Sequence, residues 1–515
     1  MQLFSIKKKG RIFPKRTIFR TVPAALLLTA AILSSVFGQP KRESNEFLRL
    51  WSDNSADVSL PRVLIIDNGL IEQYYDNLKT DLNGQNYTIM RYRTSKCVGD
   101  SALLTEMEYI LNDNQYAVIQ FTNGLHGMAY TEQEYSAAFP GYLSFMINNS
   151  HGAKLIWASC TYGGSALDAR IKARNQIAKQ NVAQNSSIAI NDLYDSTSTK
   201  SGYFTSIGDL TSTGIPAVAS ICASAIKKAL ALYTANKPPQ YARYGGAPVF
   251  REGSEWGECG VSDTGSLPRV LMIGNSITSG YHSHVNADLT GKAVCSYLIS
   301  SKSFGDPASL KEYGIALSQA NFSVVHFNNG LHGLGSYSLA QFDTGFVRAV
   351  ALIKKIVPKA QLIWATATPA YNDANSESIV QKRNADAVAL CGKYGITVDD
   401  LHTLANNHPE TRIGDGFHYQ DAGYVILAKQ VSDSIQQALV RFQTPVARQL
   451  PQNGFAPFGT GMERAQGELS LFDIRGRKIA EPMVRKPGAS GVLGIHGVFV
   501  VQSKPGIAGK CMIVQ

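Results

Sequence analysis

The chain has 515 residues, of which 44% are hydrophobic and 17% charged; this supports large buried cores and excludes a disordered, collagen-like or polytopic membrane protein. At about 150 residues per domain, the length implies more than one. Of the net charge of +10, seven units come from Lys7, Lys8, Lys9, Arg11, Lys15, Arg16 and Arg20 in the acid-free residues 1–38, which leaves only +3 for the rest. With no basic helix or aromatic-interleaved patch, no nucleic-acid partner is expected.

Residues 1–38 combine that cationic start with an apolar stretch from Val22 to Gly38 and small residues before Gln39-Pro40, the layout of a cleaved signal peptide. Export with no stable membrane span after cleavage is expected. Seven cysteines (Cys97, Cys160, Cys222, Cys259, Cys295, Cys391 and Cys511) are scattered without a CxxC or Cys/His cluster, so neither zinc nor a dense disulfide framework is signalled.

The remainder is dominated by a duplication. Pro61-Arg-Val-Leu-Ile-Ile recurs as Pro268-Arg-Val-Leu-Met-Ile, and Phe121-Thr-Asn-Gly-Leu-His-Gly127 as Phe327-Asn-Asn-Gly-Leu-His-Gly333, at offsets of 207 and 206. Leu155-Ile-Trp-Ala, Arg174-Asn175 and Ile207-Gly-Asp209 recur collinearly as Leu362-Ile-Trp-Ala, Arg383-Asn384 and Ile413-Gly-Asp415. Two copies are too few for a solenoid, so each must bury its own core. We place them at residues 58–233 and 267–441. The Pro- and Gly-containing residues 234–266 between them have linker composition, as do residues 442–465.

Within the second copy, Val270–Ile273, Ser323–Phe327 and Leu362–Thr366 are short continuous apolar runs that read as buried strands. Phe346, Val350, Ile353 and Val357 follow helical spacing up to Pro358, and Tyr424, Leu427, Val431 and Ile435 share another helical face. Strand and helix in alternation give a parallel sheet covered on both faces, with chemistry at the carboxyl ends of strands. Residues 466–515 carry short β-branched runs around an Arg475-Gly476 turn and read as a small all-β domain.

Ser276 directly follows the first strand of the second copy, where a helix start offers backbone N–H groups to a developing oxyanion. On spacing alone such a serine is more often a helix N-cap. Asp415-Gly-Phe-His418, 142 residues later and just before the last helix, would let a carboxylate orient an imidazole that faces the serine. Asn329 and Gly305 are placed as oxyanion donors, and Asn328 and His332 as pocket positions. Tyr371 lies near the rim, and Trp364 reads as core.

Ser276, Gly305, Asn329 and Asp415-x-x-His418, in that order on an α/β chain, resemble the SGNH (GDSL-like) hydrolases, in a branch found among bacterial carbohydrate esterases. The resemblance implies a flavodoxin-like three-layer α/β/α fold in each copy, with no metal or cofactor. It makes Ser276 the nucleophile, His418 the general base, Asp415 its orienter, and Ser276 N–H, Gly305 N–H and Asn329 the oxyanion hole. It departs from the family pattern at Asn275, where an aspartate is usual, and in the first copy, where Gly69 and Ser212 stand in place of serine and histidine. The first copy is thus expected to be inactive, either binding substrate or buttressing the active domain, or else serving as a packing partner with no ligand. Residues 466–515 are similar to the β-sandwich sorting domains of type IX secretion substrates, which implies delivery to the surface of a Gram-negative-type bacterium through that secretion machinery. The expected activity is a secreted serine esterase acting on O-acetyl groups of polysaccharide; the alternatives are a lipid esterase or thioesterase, and a catalytically inactive polysaccharide-binding surface protein.

Overall fold

The Pro-Arg-Val-Leu segments become strands buried along their length because aliphatic side chains on both faces meet helices. The computed structural model describes residues 40–57, 59–82, 87–200, 202–233, 250–262 and 265–443, with the backbone of four C-terminal strands. The signal segment 1–38 and most of the 442–465 linker lie outside the described residues. The chain divides into two compact units, residues 1–445 and 446–515.

The first half of the large unit contains β1 (Asn45–Asp53), β2 (Arg62–Asp67), α1 (Ile71–Asp81), β3 (Thr88–Thr94), α2 (Ser101–Asp113), β4 (Val118–Phe121), α3 (Glu132–Asn148), β5 (Lys154–Ala158), α4 (Asp168–Val182), β6 (Ile188–Asn191), α5 (Leu193–Thr197) and α6 (Gly214–Ala231). The second repeats the order: β7 (Ser254–Ser262), β8 (Arg269–Gly274), α7 (Ser276–Asp288), β9 (Val294–Ser300), α8 (Ser309–Leu317), β10 (Val324–Phe327), α9 (Leu339–Ile356), β11 (Gln361–Ala365), α10 (Ala374–Tyr394), β12 (Thr397–Asp399), α11 (Leu401–Asn406) and α12 (Asp421–Gln443). Even the helix starts match: Thr131 with Glu134, and Ser338 with Gln341, form reciprocal capping boxes on α3 and α9.

All twelve strands form one sheet, ordered β12-β11-β10-β8-β9-β7-β1-β3-β2-β4-β5-β6. Each half contributes five parallel strands in the flavodoxin-like order 2-1-3-4-5, flanked by one antiparallel strand, β1 or β7. Residues 234–266, expected as a linker, therefore contain a strand. β7 pairs with β1 over nine residues, from Asn45 opposite Ser262 to Asp53 opposite Ser254. Its glycines pack: a Cβ on Gly260 would meet the Tyr297 ring at 2.6 Å. Arg49 and Glu258 occupy equivalent places in the two halves and face each other in this ladder, with a 3.1 Å ion pair, so a local two-fold axis passes between them, as in a self-complementary dimer interface.

One apolar cluster runs continuously beneath both halves on one face, joining Leu48, Leu50, Tyr109 and Ile110 to Leu298, Tyr313, Phe346 and Trp364. Trp364 is fully buried, as its strand context predicts. Across this face Tyr109 donates to Glu312 at 2.6 Å. Burial, the largest effect, pushes the Glu312 carboxyl up to about 7 despite Lys302 and the Ser300 and Tyr109 hydroxyls. On the opposite face the cores are separate, one under α1 and α6 and one under α7 and α12, so the strands at the junction stay open there. Helix α6 is long and apolar enough to cross a membrane, but it buries Val218, Cys222 and Ile226 on strands β4, β5 and β6.

In the second unit β13 (Ser470–Phe472), β14 (Lys478–Ala480), β15 (Gly497–Gln502) and β16 (Cys511–Val514) form an antiparallel sheet ordered β14-β13-β15-β16. The Arg475-Gly476 turn lies outside the described residues.

Because β7 is completed by β1, residues 250–443 produced alone would present a long unpaired edge. Sedimentation is expected to find this piece self-associated, whereas residues 40–443 stay monomeric; a folded monomeric half would contradict the shared sheet.

Candidate active site

The loop after β8 places Ser276 at the first position of α7. The N-cap is Asn275, whose side chain accepts the Ile277 N–H at 3.0 Å, so the serine hydroxyl is not used as the cap. The chain can turn this tightly because residue 274 is glycine: a Cβ there would overlap Thr278 Oγ1 at 1.9 Å.

His418 Nε2 lies 2.7 Å from Ser276 Oγ, and its Nδ1 lies 2.5 Å from Asp415 Oδ2. The second oxygen of Asp415 accepts the N–H groups of Phe417 and His418 at 3.0 and 2.9 Å. Desolvation is the largest single influence on this carboxyl and opposes ionisation, but those N–H groups and the imidazole together outweigh it and hold the group at about 2. A permanently ionised Asp415 keeps the proton on Nδ1, which leaves Nε2 to accept from the serine.

Tyr371 holds this loop. Its hydroxyl lies 2.6 Å from the carbonyls of both Ile413 and His418, its N–H donates to Gly416 O, and the Arg412 guanidinium covers its ring at 4.6 Å. Gly416 has φ +93°, where a side chain would be strained and would meet Asn372 at 2.8 Å. Sequence reasoning took Tyr371 for a rim residue and missed this positioning role.

The other expected positions are more constrained. Asn329 is buried; its oxygen accepts Phe304 N–H and its amide donates to Lys302 O at 2.8 Å. Asn123 makes the matching bonds to Val98 and Lys96 in the first half, so this clamp is common to both halves. Gly305 N–H reaches Ser303 Oγ at 3.3 Å. Asn328, expected at the pocket, donates to Ala365 O, and His332 pairs with Glu252 at 3.0 Å while its ring meets Trp256, a wall of the Ser276 cavity, edge-on. In the first half His126 pairs with Glu43 in the same way, which marks these histidines as staples for the segment preceding β1 and β7. The sequence signal was present: Arg42-Glu43-x-x-Glu46 matches Arg251-Glu252-x-x-Glu255 at offset 209. His326 is fully buried against Asp399.

The cavity holding Ser276 has a volume of about 340 Å³ and is lined by both halves, including Arg49, Trp51, Glu72 and Arg91 from the first and Trp256, Glu258, Ser279 and Ile299 from the second. The corresponding space beside Gly69 is only about 20 Å³, room for a single water. Leu125 fills it, and a Cβ on Gly69 would lie 2.8 Å from that leucine. Among the described residues no group of three or more His, Cys, Asp and Glu side chains is gathered as a metal site requires. The six described cysteines are unpaired.

No family model matches the chain, and no curated protein matches it. Solved structures similar to it include a carbohydrate esterase family 3 protein from Talaromyces cellulolyticus (13% identity, 34% of this chain and 99% of that one, TM-score 0.30). A lipolytic G-D-S-L family protein from Veillonella parvula (15%, 33% and 98%, TM-score 0.29) and a putative acylhydrolase from Bacteroides fragilis (19%, 34% and 91%, TM-score 0.29) are similar as well.

Replacing Tyr371 by Phe removes the hydroxyl that secures the His418 carbonyl. Stability is expected to fall by about 1 kcal/mol, with faster amide hydrogen exchange confined to residues 412–420; unchanged exchange there would remove the positioning role.

Proposed function

We propose that this protein is a secreted serine ester hydrolase that removes O-acyl groups, acetyl foremost, from polysaccharide. The observation that carries this reading is the unbroken relay from Asp415 through His418 to Ser276. Ser276 Oγ attacks the ester carbonyl as its proton passes to His418 Nε2, and Asp415 stabilises the imidazolium. The tetrahedral oxyanion is met by Ser276 N–H, left without an intrahelical partner at the start of α7, with Gly305 N–H, released from its 3.3 Å contact with Ser303 Oγ, and the remaining amide hydrogen of Asn329 completing the set. Collapse breaks the acyl C–O bond, and the departing sugar oxygen takes the proton from His418 and leaves as a hydroxyl. Water, deprotonated by the same histidine, then releases the acid from the acyl-enzyme.

The first half lacks this chemistry. Gly69 has no nucleophile, Ser212 stands where the base would be, and Asp209, the counterpart of Asp415, instead accepts a bond from Gln73 at 2.8 Å. The reading also assigns residues 1–38 to export and residues 466–515 to surface sorting. Removing residues 466–515 is expected to leave hydrolysis unchanged while abolishing surface delivery, measured by fractionating cells; normal delivery would end the sorting role.

Acetate release from acetylated xylan by protein lacking residues 1–38 is the direct test. Ser276→Ala is expected to reduce release to background, and Asp415→Asn to lower kcat by about 10³–10⁴-fold. Since Asp415 is held near 2, its contribution is present above that value and lost only as the pH falls through it. No acid limb between pH 4 and 9 is therefore expected to belong to it. Equal release by the parent and by Ser276→Ala would refute the assignment.

A further inference from the structure

The half without a nucleophile still reaches the reaction. At the sheet junction β1 and β7 turn Arg49, Trp51, Trp256 and Glu258 to the face that no helix covers, and this open strip runs to Ser276. Trp51 and Trp256 stand directly opposite each other in the ladder, with the Trp256 ring edge-on to His332 at 5.6 Å. Trp51 is 36% exposed. Its indole is held in place by a 3.1 Å bond from Nε1 to Asp53, a carboxylate also gripped by Lys79 at 2.6 Å. The indole is thus partly open to solvent and tethered at its edge, on the wall of the cavity that holds Ser276.

The polar groups around the pair are balanced. Arg49 meets Glu258 at 3.1 Å, and Arg91 meets Glu72 at 3.3 Å with its guanidinium over Tyr75. An anionic ligand would confront both glutamates and a cationic one both arginines, while an acyl chain would strand four charges against hydrocarbon. A neutral sugar suits this lining: the C–H face of a pyranose lies on indole, and its hydroxyls both donate to carboxylates and accept from guanidinium groups. The volume of about 340 Å³ is at the small end of ligand pockets, roughly 300–1,000 Å³, which fits a short stretch of glycan.

We propose that the catalytically silent half supplies the glycan-binding wall of the active cleft, with Trp51, paired with Trp256, as a stacking platform for a neutral sugar ring whose ester is presented to Ser276. The assignment rests on Ser276 being the nucleophile and adds to it the leaving-group side of the substrate: a neutral, acylated saccharide. It also gives the duplication a chemical purpose, because Trp51, Arg49, Glu72 and Arg91 all come from the half that has lost its own site.

Binding can be separated from catalysis. Neutral xylo-, manno- and cello-oligosaccharides of four to six units, with oligogalacturonate as the acidic comparison, are titrated calorimetrically into full-length Ser276→Ala and into Ser276→Ala/Trp51→Ala. At least one neutral series is expected to bind, tenfold or more weakly without Trp51, with Trp51→Phe retaining most of the affinity and oligogalacturonate binding less well. With Ser276 restored, Trp51→Ala is expected to lower kcat/KM for the acetylated form of that oligosaccharide at least tenfold relative to kcat/KM for 4-nitrophenyl acetate. Undiminished binding without Trp51, preference for the acidic oligomer, no binding of any neutral series, or a parallel loss on both esters would overturn the proposal. Trp51-dependent binding in a protein that hydrolyses neither ester would uphold the binding wall and refute the esterase reading.

Discussion

Nine residues of β1 lie antiparallel to nine residues of β7, and this one ladder decides the shape of everything near the candidate site. Without it each half would end in an exposed antiparallel edge, a liability that folded proteins cover or charge. With it, the two flavodoxin-like sheets become a single sheet around a local two-fold axis, α2 and α8 close the junction on one face, and the other face stays open between α1 and α7. The open strip is where Ser276 meets residues of the opposite half. A buried charge cluster on the closed face, Glu46 with Lys96 and Glu255 with Lys302, repeats across the axis. Breaking one member would leave an unpaired buried charge, so the junction is specific in register as well as apolar.

The two halves keep the same scaffold and differ where chemistry would occur. Asn123 and Asn329 make the same clamp, His126 and His332 the same staple, and Arg174 and Arg383 reach the carbonyls of the equivalent loops. These features are common to both halves and hold the same loops in each. What only the second half has is the Ser276, His418 and Asp415 relay, the Tyr371 clamp on its loop and open space in front of the helix start, whereas Leu125 occupies the first half's counterpart. Superposing one half on the other in this way separates the residues they share from those that only the second half brings together.

Much of this was legible in the sequence, for physical reasons. Continuous apolar runs mark strands buried on both sides, and β8, β10 and β11 fall on them. The 3.6-residue spacing of Phe346, Val350 and Ile353 gave α9, and Ser276 with Asp415-x-x-His418 identified the residues that converge. Strand β7 was missed because its faces differ: Glu255, Gly257, Cys259 and Val261 are buried while Trp256, Glu258 and Gly260 are partly open, a half-covered pattern diluted by glycines that read as linker. Those glycines make room for neighbours such as Tyr297, a tertiary fact invisible in composition. Likewise, the bonds of Asn329 and His332 depend on segments 27 and 80 residues away, which local spacing does not reveal. The contribution of Trp51 to the cleft depends wholly on the β1–β7 register.

The central claim is that Ser276 is a nucleophile activated by His418. Peptide mapping by mass spectrometry after brief exposure of the folded protein to a fluorophosphonate measures this most directly. The account predicts one adduct per chain, on the peptide containing Ser276, absent when His418 is replaced by Ala and with no adduct in residues 40–233. An unmodified Ser276 peptide, or labelling that persists without His418, would contradict it.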